Sequence, residues 1–305
     1  MLRQAVDTYL ALRRACGYKL TGAGYFLRSF AAFSQAKDQH HVCAATAIEW
    51  AGLGSSGHAR AGRLASVIRF TQHLRAEDPR HELPPPVYGS EQRPRPVPYS
   101  LSLENIRQLV AATAVQYGRH GTLCGDTYST LFSLLACTGL RVSEATALRY
   151  ADITADGLVI RQSKFKKSRL VPLHTTARAG LEQYIERRRP YAPFDDHLFI
   201  SRRRKPLRLE DVDLAFKAAV TRIGLPSRGR GRPRPTPHSL RHFFAVQSLL
   251  ACPDGRDRIT QHMVALSTVL GHSCVEKTYW YLEATAELMT DISERSENFF
   301  TAGQS

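Results

Sequence analysis

Several things this chain lacks narrow the field before any motif is read. Its six cysteines, Cys16, Cys43, Cys124, Cys137, Cys252 and Cys274, are scattered without a C-x-x-C pair, which argues against a disulfide framework and suits reduced thiols in a cytosol. No apolar run approaches the roughly 18 residues that a membrane span requires. Arg3, Asp7, Arg13 and Arg14 interrupt the stretch where a signal peptide needs an unbroken apolar core. There is no P-loop, so nucleotide hydrolysis is not expected. Negative charge is also scarce: 27 Asp+Glu stand against 42 Lys+Arg, a formal charge of +15. Such an excess attracts polyanions, so nucleic acid is the expected partner and the cytoplasm, close to the nucleoid, the expected location.

What is present suits two cores. At 305 residues and 43% hydrophobic content, the chain is long and apolar enough for two domains. In residues 1–83, Val6, Tyr9, Leu10 and Leu12, then Phe26, Leu27, Phe30 and Phe33, then Ala61, Leu64, Val67, Ile68, Phe70 and Leu74 recur at the spacing of one helix face. Arginines and Lys19 lie between them, predicting a helical domain with a basic exterior. Residues 84–98 read as a linker, because Pro84, Pro85, Pro86, Pro94, Pro96 and Pro98 bar continuous helix or central strand. Residues 99–298 open with a helix that Ser102 can cap. They continue through a second helix ended by Gly139, then turn to short β runs at Leu158–Ile160 and Leu170–Leu173 before helical spacing returns. Residues 299–305 form a tail. The expected fold is mainly α (α+β), with one small antiparallel sheet.

Two suggestive patterns fail in context. Gly52, Gly54 and Gly57 match G-x-G-x-x-G, but a helical stretch precedes them where a dinucleotide site needs a strand. His40, His41 and Cys43 lack further ligands and read as a polar loop.

The reactive residues lie in the second domain. His238 and Arg241 are three apart, so on a helix both side chains share a face and can converge on one phosphate. His242 invites a zinc reading, yet the metalloprotease glutamate is missing and Arg241 on the same surface would repel a cation. Arg141 follows the helix break at Gly139, where a new helix start presents its guanidinium together with backbone N–H groups. Two guanidiniums can then bracket a phosphate whose charge concentrates in a pentavalent transition state. Lys164 sits in a basic hairpin turn with Lys166 and Lys167, and His272 follows Leu270 and Gly271. Tyr279 and Tyr281 offer two phenols facing nearly opposite ways on a helix, so only one can face the arginines. Nine unbroken helical residues would also turn His272 and Tyr281 apart, so a break near Ser273 is required. Cations, imidazoles, an ammonium and a phenol are what metal-free attack on a phosphodiester needs.

Thr-Gly-Leu-Arg-Val-Ser-Glu at 138–144, the lysine hairpin ending in Arg-Leu-Val-Pro-Leu at 169–173, His-Ser-Leu-Arg-His at 238–242, Leu-Gly-His-Ser at 270–273 and the tyrosine beyond them resemble the tyrosine recombinases, or phage integrase family. The resemblance covers residues 99–298 by motif, and residues 1–83 as a core-binding domain. It implies a clamp around double-stranded DNA, tyrosine attack that leaves a 3′-phosphotyrosine and a free 5′-hydroxyl, strand exchange in a tetramer of this chain or with related recombinase subunits, and no cofactor or metal. By resemblance Arg141 and Arg241 clamp the phosphate, Glu144 supports the site, Lys164 is the general acid, His238 handles the tyrosine proton, His272 donates to the phosphate and Tyr281 is the nucleophile. The chain departs from the commonest pattern, since Leu282 and Glu283, not a histidine, follow that tyrosine. Lys166, Lys167, Arg228, Arg230, Arg232 and Arg234 are candidate DNA contacts. The apolar tail residues Leu288, Met289, Ile292, Phe299 and Phe300 suit docking on their own domain or on a neighbouring protomer equally. A type IB topoisomerase-like enzyme and a DNA-binding accessory protein are the rival readings.

Overall fold

The computed structural model describes residues 2–89, 98–117, 123–161, 168–194, 196–225, 234–252, 256–272 and 274–284. Lys164, Lys166, Lys167, Arg228, Arg230, Arg232 and the tail beyond Ala284 lie outside them. Among the described residues, no helix is long and apolar enough to cross a membrane. The chain divides into two compact units, Met1–Arg95 and Pro96–Ser305.

The first unit is four helices: α1 (Leu2–Ala15), α2 (Thr21–Gln35), α3 (Ala44–Gly52) and α4 (Gly57–Leu74). Each contributes one apolar face to a shared core of Val6, Leu10, Leu27, Phe30, Trp50, Leu64, Val67 and Phe70. Leu12, which spacing assigns to that face, is instead exposed. It stands two residues after Leu10, which is just over half a turn around the helix. Ser56 caps α4 by accepting the Ala59 N–H at 3.2 Å, so the glycine-rich stretch is a turn between helices. Gly52 is small for a reason of its own, since a Cβ there would come within 2.7 Å of the Tyr88 hydroxyl. That hydroxyl donates to the Ile48 carbonyl at 3.1 Å, so the beginning of the proline-rich stretch packs onto this unit. His41 and His81 also have work in the fold. His41 pairs with Asp78 at 3.3 Å, and the His81 Nδ1 accepts the Val42 N–H at 3.0 Å.

In the second unit, α5 (Leu103–Tyr117) and α6 (Cys124–Thr138) pack together through Ile106, Leu109, Leu131 and Leu135. The Ser102 hydroxyl accepts the Asn105 N–H at 3.1 Å at the start of α5. A short α7 (Val142–Ala145) leads to β1 (Ile153–Thr154), β2 (Gly157–Ile160) and β3 (Arg169–Val171), an antiparallel sheet in that order. Leu158 pairs with Val171 and Ile160 with Arg169. Leu158, Ile160 and Val171 are buried while Leu170 is exposed, the alternation of a sheet with one covered face. Then come α8 (Thr175–Arg188), α9 (Leu209–Arg222), α10 (Pro237–Leu250), α11 (Arg256–Leu270) and α12 (Glu276–Ala284). The last three share a smaller core of Val246, Leu249, Met263, Leu266, Leu270 and Tyr281.

Two glycines punctuate the site. Gly139 ends α6 at φ 63°, and a Cβ there would come within 2.4 Å of the Phe244 ring. Gly271 follows α11 at φ 64°. The break required near Ser273 therefore falls between Leu270 and Glu276, and Ser273 itself lies outside the described residues.

Candidate active site

The sequence places an arginine at the start of α7, and the structure shows how it is held. The Glu144 carboxylate accepts the Arg141 backbone N–H at 3.0 Å, as an N3 glutamate does in a capping box, and takes the Arg141 Nη1 at 2.7 Å. Arg141 Nη2 donates to the Gly271 carbonyl at 3.0 Å. Arg241, on α10, is buried. Its Nη1 donates to the Gly139 carbonyl and its Nη2 to the Leu270 carbonyl, both at 2.6 Å. Both arginines thus bind carbonyls at helix ends, where unpaired acceptors and the negative pole of the helix dipole favour cations. Each terminal guanidinium nitrogen keeps a second N–H beyond the one so used.

Tyr281 on α12 meets Arg241. Only 3% of it is exposed, and its hydroxyl lies against the Arg241 guanidinium. Tyr279 is 47% exposed. Imidazoles line the tyrosine. His272 stacks on it with ring centroids 6.2 Å apart, and His242 meets it edge-on at 5.4 Å. His238 packs edge-on against His242 at 4.6 Å, at the exposed rim. The structure therefore gathers Arg141, Glu144, Arg241, His238, His272 and Tyr281 around the end of α11. Arg234 is exposed, near the start of α10.

Electrostatics separates the groups. Burial works against ionisation of Glu144, but hydrogen bonds from Arg169 and Arg141 outweigh it and hold the carboxyl at about 2. Burial, then the charge of Arg141, pulls Arg241 down to about 10, so it stays charged at neutral pH. Desolvation, followed by repulsion from Arg241 and Arg141, lowers His238 and takes His272 to about 4. His242 falls to about 3 through burial and the neighbouring His238 and Arg241. His242 and His272 are neutral at pH 7, and His238 is shifted toward its neutral form. The His272 Nδ1 is engaged by the Thr278 hydroxyl at 2.8 Å, leaving Nε2 for another partner.

These shifts have a consequence for stability. A histidine whose folded value is lowered binds its proton less readily folded than unfolded, so the stability from its neutral form is full above the usual 6.5 and is lost as pH falls from there toward the folded value. Glu144 acts in the same direction lower down, between the usual 4.5 and about 2. The second unit is expected to melt at progressively lower temperature below pH 6.5. Calorimetry from about pH 7.5 to 5 checks this, and a melting temperature that does not fall contradicts it.

Local patterning missed two residues here. Arg169, the first residue of β3, gives Glu144 both terminal nitrogens, at 3.0 and 2.8 Å, and its Nε to the Val269 carbonyl at 2.7 Å. Its sequence signals are a charge opening an otherwise apolar strand and its place at the head of the Arg-Leu-Val-Pro-Leu run at 169–173, neither of which assigns it a role. His242, weighed in the sequence only as a metal ligand, is part of the wall around Tyr281, and its buried Nδ1 has no hydrogen-bond partner among the described residues.

Comparison with known proteins identifies the family and the fold. Residues 100–287 match the model of the phage integrase family. The y4rB protein of Sinorhizobium fredii (strain NBRC 101917 / NGR234), an integrase/recombinase by name, is 37% identical over 97% of this chain and 96% of its own. Tyrosine recombinase XerD of Rhizobium meliloti (strain 1021) is 29% identical over 79% of this chain and 75% of its own. Among solved structures, the Tn1549 transposon integrase in complex with transposon right-end DNA covers 96% of this chain and 98% of its own, with a TM-score of 0.64 at 17% identity. The XerH site-specific recombinase bound to a palindromic difH substrate covers 90% and 79%, also with a TM-score of 0.64 at 17% identity. The chain belongs to the phage integrase family. Within it, this is a tyrosine site-specific recombinase, an enzyme that acts in DNA recombination.

Proposed function

We propose that the side chains gathered around the end of α11 receive one backbone phosphate of duplex DNA and that Tyr281 is the nucleophile. The observation that carries this reading is the burial of the Tyr281 hydroxyl against Arg241 within a wall of neutral imidazoles. When the phosphate enters, the spare N–H groups of Arg141 and Arg241 bind its non-bridging oxygens. The Tyr281 oxygen then attacks phosphorus. A Tyr281–phosphate bond forms, the bond to the 5′-oxygen breaks, and the DNA is left with a 3′-phosphotyrosine and a 5′-hydroxyl. His238, at the rim and shifted toward its neutral form, accepts the phenol proton, and Lys164 supplies one to the departing 5′-oxygen. His272 donates through Nε2–H, in the tautomer whose Nδ1 accepts from the Thr278 hydroxyl. Charge that grows on the pentavalent phosphate is met by fixed guanidiniums, which removes the need for a metal ion. Attack by a 5′-hydroxyl on the phosphotyrosine reverses each step and joins the strands.

The wider reading is a tetramer on paired sites in the cytoplasm, moving or resolving DNA of a mobile element. The resemblance to a transposon integrase and to a lambda integrase dimer bound to a core site supports it. The basic side chains of Lys166, Lys167, Arg228, Arg230, Arg232 and Arg234 suit contacts with the phosphate backbone, which position DNA without reading its sequence.

A pool of nicked duplexes of randomised sequence tests the reading, because loss of the short fragment at a nick traps the cleaved strand on the protein. Protein-linked DNA that survives denaturant, formed in EDTA, is the expected result. DNA retained only without denaturant identifies a binding protein with this fold and overturns the proposal.

A further inference from the structure

We infer that Arg169 is a positioning residue for strand cleavage, holding the Glu144 carboxylate and the end of α11 so that Arg141 and His272 face the same phosphate. This rests on the reading of those two groups as phosphate contacts. Arg169 itself is set back from that phosphate: its side chain is only 8% exposed, and it bonds the Glu144 carboxylate and the Val269 carbonyl.

Three observations converge on it. The bidentate pair with Glu144, together with the Arg141 backbone and side-chain bonds, gives that carboxylate four donors, which fills its acceptor positions. The bond from Nε to the Val269 carbonyl ties the same guanidinium to the last turn of α11. Gly271 then passes directly over the guanidinium, since a Cβ there would come within 2.7 Å of Nη1 and 2.8 Å of Cζ. The left-handed turn that carries His272 is therefore shaped around Arg169. At the other end, the pairing of Ile160 with Arg169 anchors its backbone in the sheet. A single side chain joins the sheet, the carboxylate that orients Arg141, and the turn that presents His272.

This role predicts a pH signature that a merely structural role would not give. Among the described residues, the charged and titratable groups around Glu144 are Arg141 at the start of its helix, Arg169 from β3 and Arg241 from α10, with His272 facing Arg169 from the turn after α11. Without Arg169 the carboxyl keeps the burial that raises it and loses the strongest bonds that lower it. It then takes up a proton in mildly acidic solution and releases Arg141.

The test is single-turnover formation of the covalent adduct on a duplex recovered from the randomised pool, with melting temperature and DNA affinity measured alongside. Arg169→Met is expected to lower the rate about 10- to 100-fold, with the deficit widening from about pH 7.5 to about pH 5 as the freed carboxyl is protonated. Arg169→Lys, which keeps the charge and loses the fork, is expected to fall between, with a narrower pH-dependent deficit. In a Glu144→Gln background, Arg169→Met is expected to cost a constant factor across that range. A wild-type rate and profile in folded Arg169→Met overturns the inference, as does the same result in Arg169→Lys if the methionine variant does not fold. A widening deficit that persists in the Glu144→Gln background moves the effect to His272 and overturns the route through Glu144. Wild-type protein that forms no adduct fails the active-site reading itself, so the two failures are distinguishable.

Discussion

Tyr281→Phe is expected to reduce the covalent protein–DNA adduct to background while leaving DNA binding and the fold in place. The substitution removes one oxygen. The ring keeps its stack on His272 and its edge contact with His242, and the buried position tolerates phenylalanine by shape. What is lost is the hydroxyl against Arg241, worth about 1.5–3 kcal/mol of stability as a hydrogen bond to a charged group. Tyr279→Phe is the matching control. That side chain is half exposed, and its loss is expected to leave the adduct intact. Denaturing electrophoresis of both variants on a nicked duplex decides between the phenols, and an adduct kept by Tyr281→Phe would refute the assignment.

Arg241→Ala is expected to slow cleavage by about 10²-fold or more, by analogy with the loss of one preorganised charge-stabilising donor. It carries a second cost that an exposed arginine would not. The Gly139 and Leu270 carbonyls would be left buried without their donors, at about 1–3 kcal/mol each. The cap of α6 and the end of α11 would thus lose a common brace together with the phosphate's cation. Rapid-quench measurement of adduct formation, read beside the melting temperature, separates the two effects. A folded variant that cleaves at the wild-type rate would remove Arg241 from the clamp. Arg241→Lys keeps the charge but cannot span two carbonyls, so it is expected to lie between.

Much of this site is legible in the sequence because its parts are local. Gly139 before Arg141, and His238 three residues before Arg241, announce a helix break and a shared helix face, and both are found. The choice between Tyr279 and Tyr281 was local only in part. Spacing says that the two diverge, whereas their burial separates an enclosed phenol from an exposed one. The connections that make the site a unit are long-range. Arg141 reaches Gly271 across 130 residues, Arg241 reaches Gly139 across 102, and Arg169 reaches Glu144 across 25. No periodicity encodes such pairs, because they form only when α6, α10, α11 and the sheet pack. Arg169 reads in isolation as a charge at a strand end, and its place beneath Gly271 depends on a left-handed turn contributed by another part of the chain. Leu12 shows the opposite limit: a leucine close to an apolar stripe still points outward when it stands half a turn from it.

The most direct test of a tyrosine buried among guanidiniums and imidazoles as the group that breaks DNA is to isolate the adduct formed in EDTA, digest both partners, and identify the peptide and the nucleotide that remain joined. The expected product is Tyr281 esterified to a 3′-phosphate, with a 5′-hydroxyl on the released strand. A link through Tyr279, a 5′-phosphate junction, or cleavage that stops when divalent ions are chelated would contradict it.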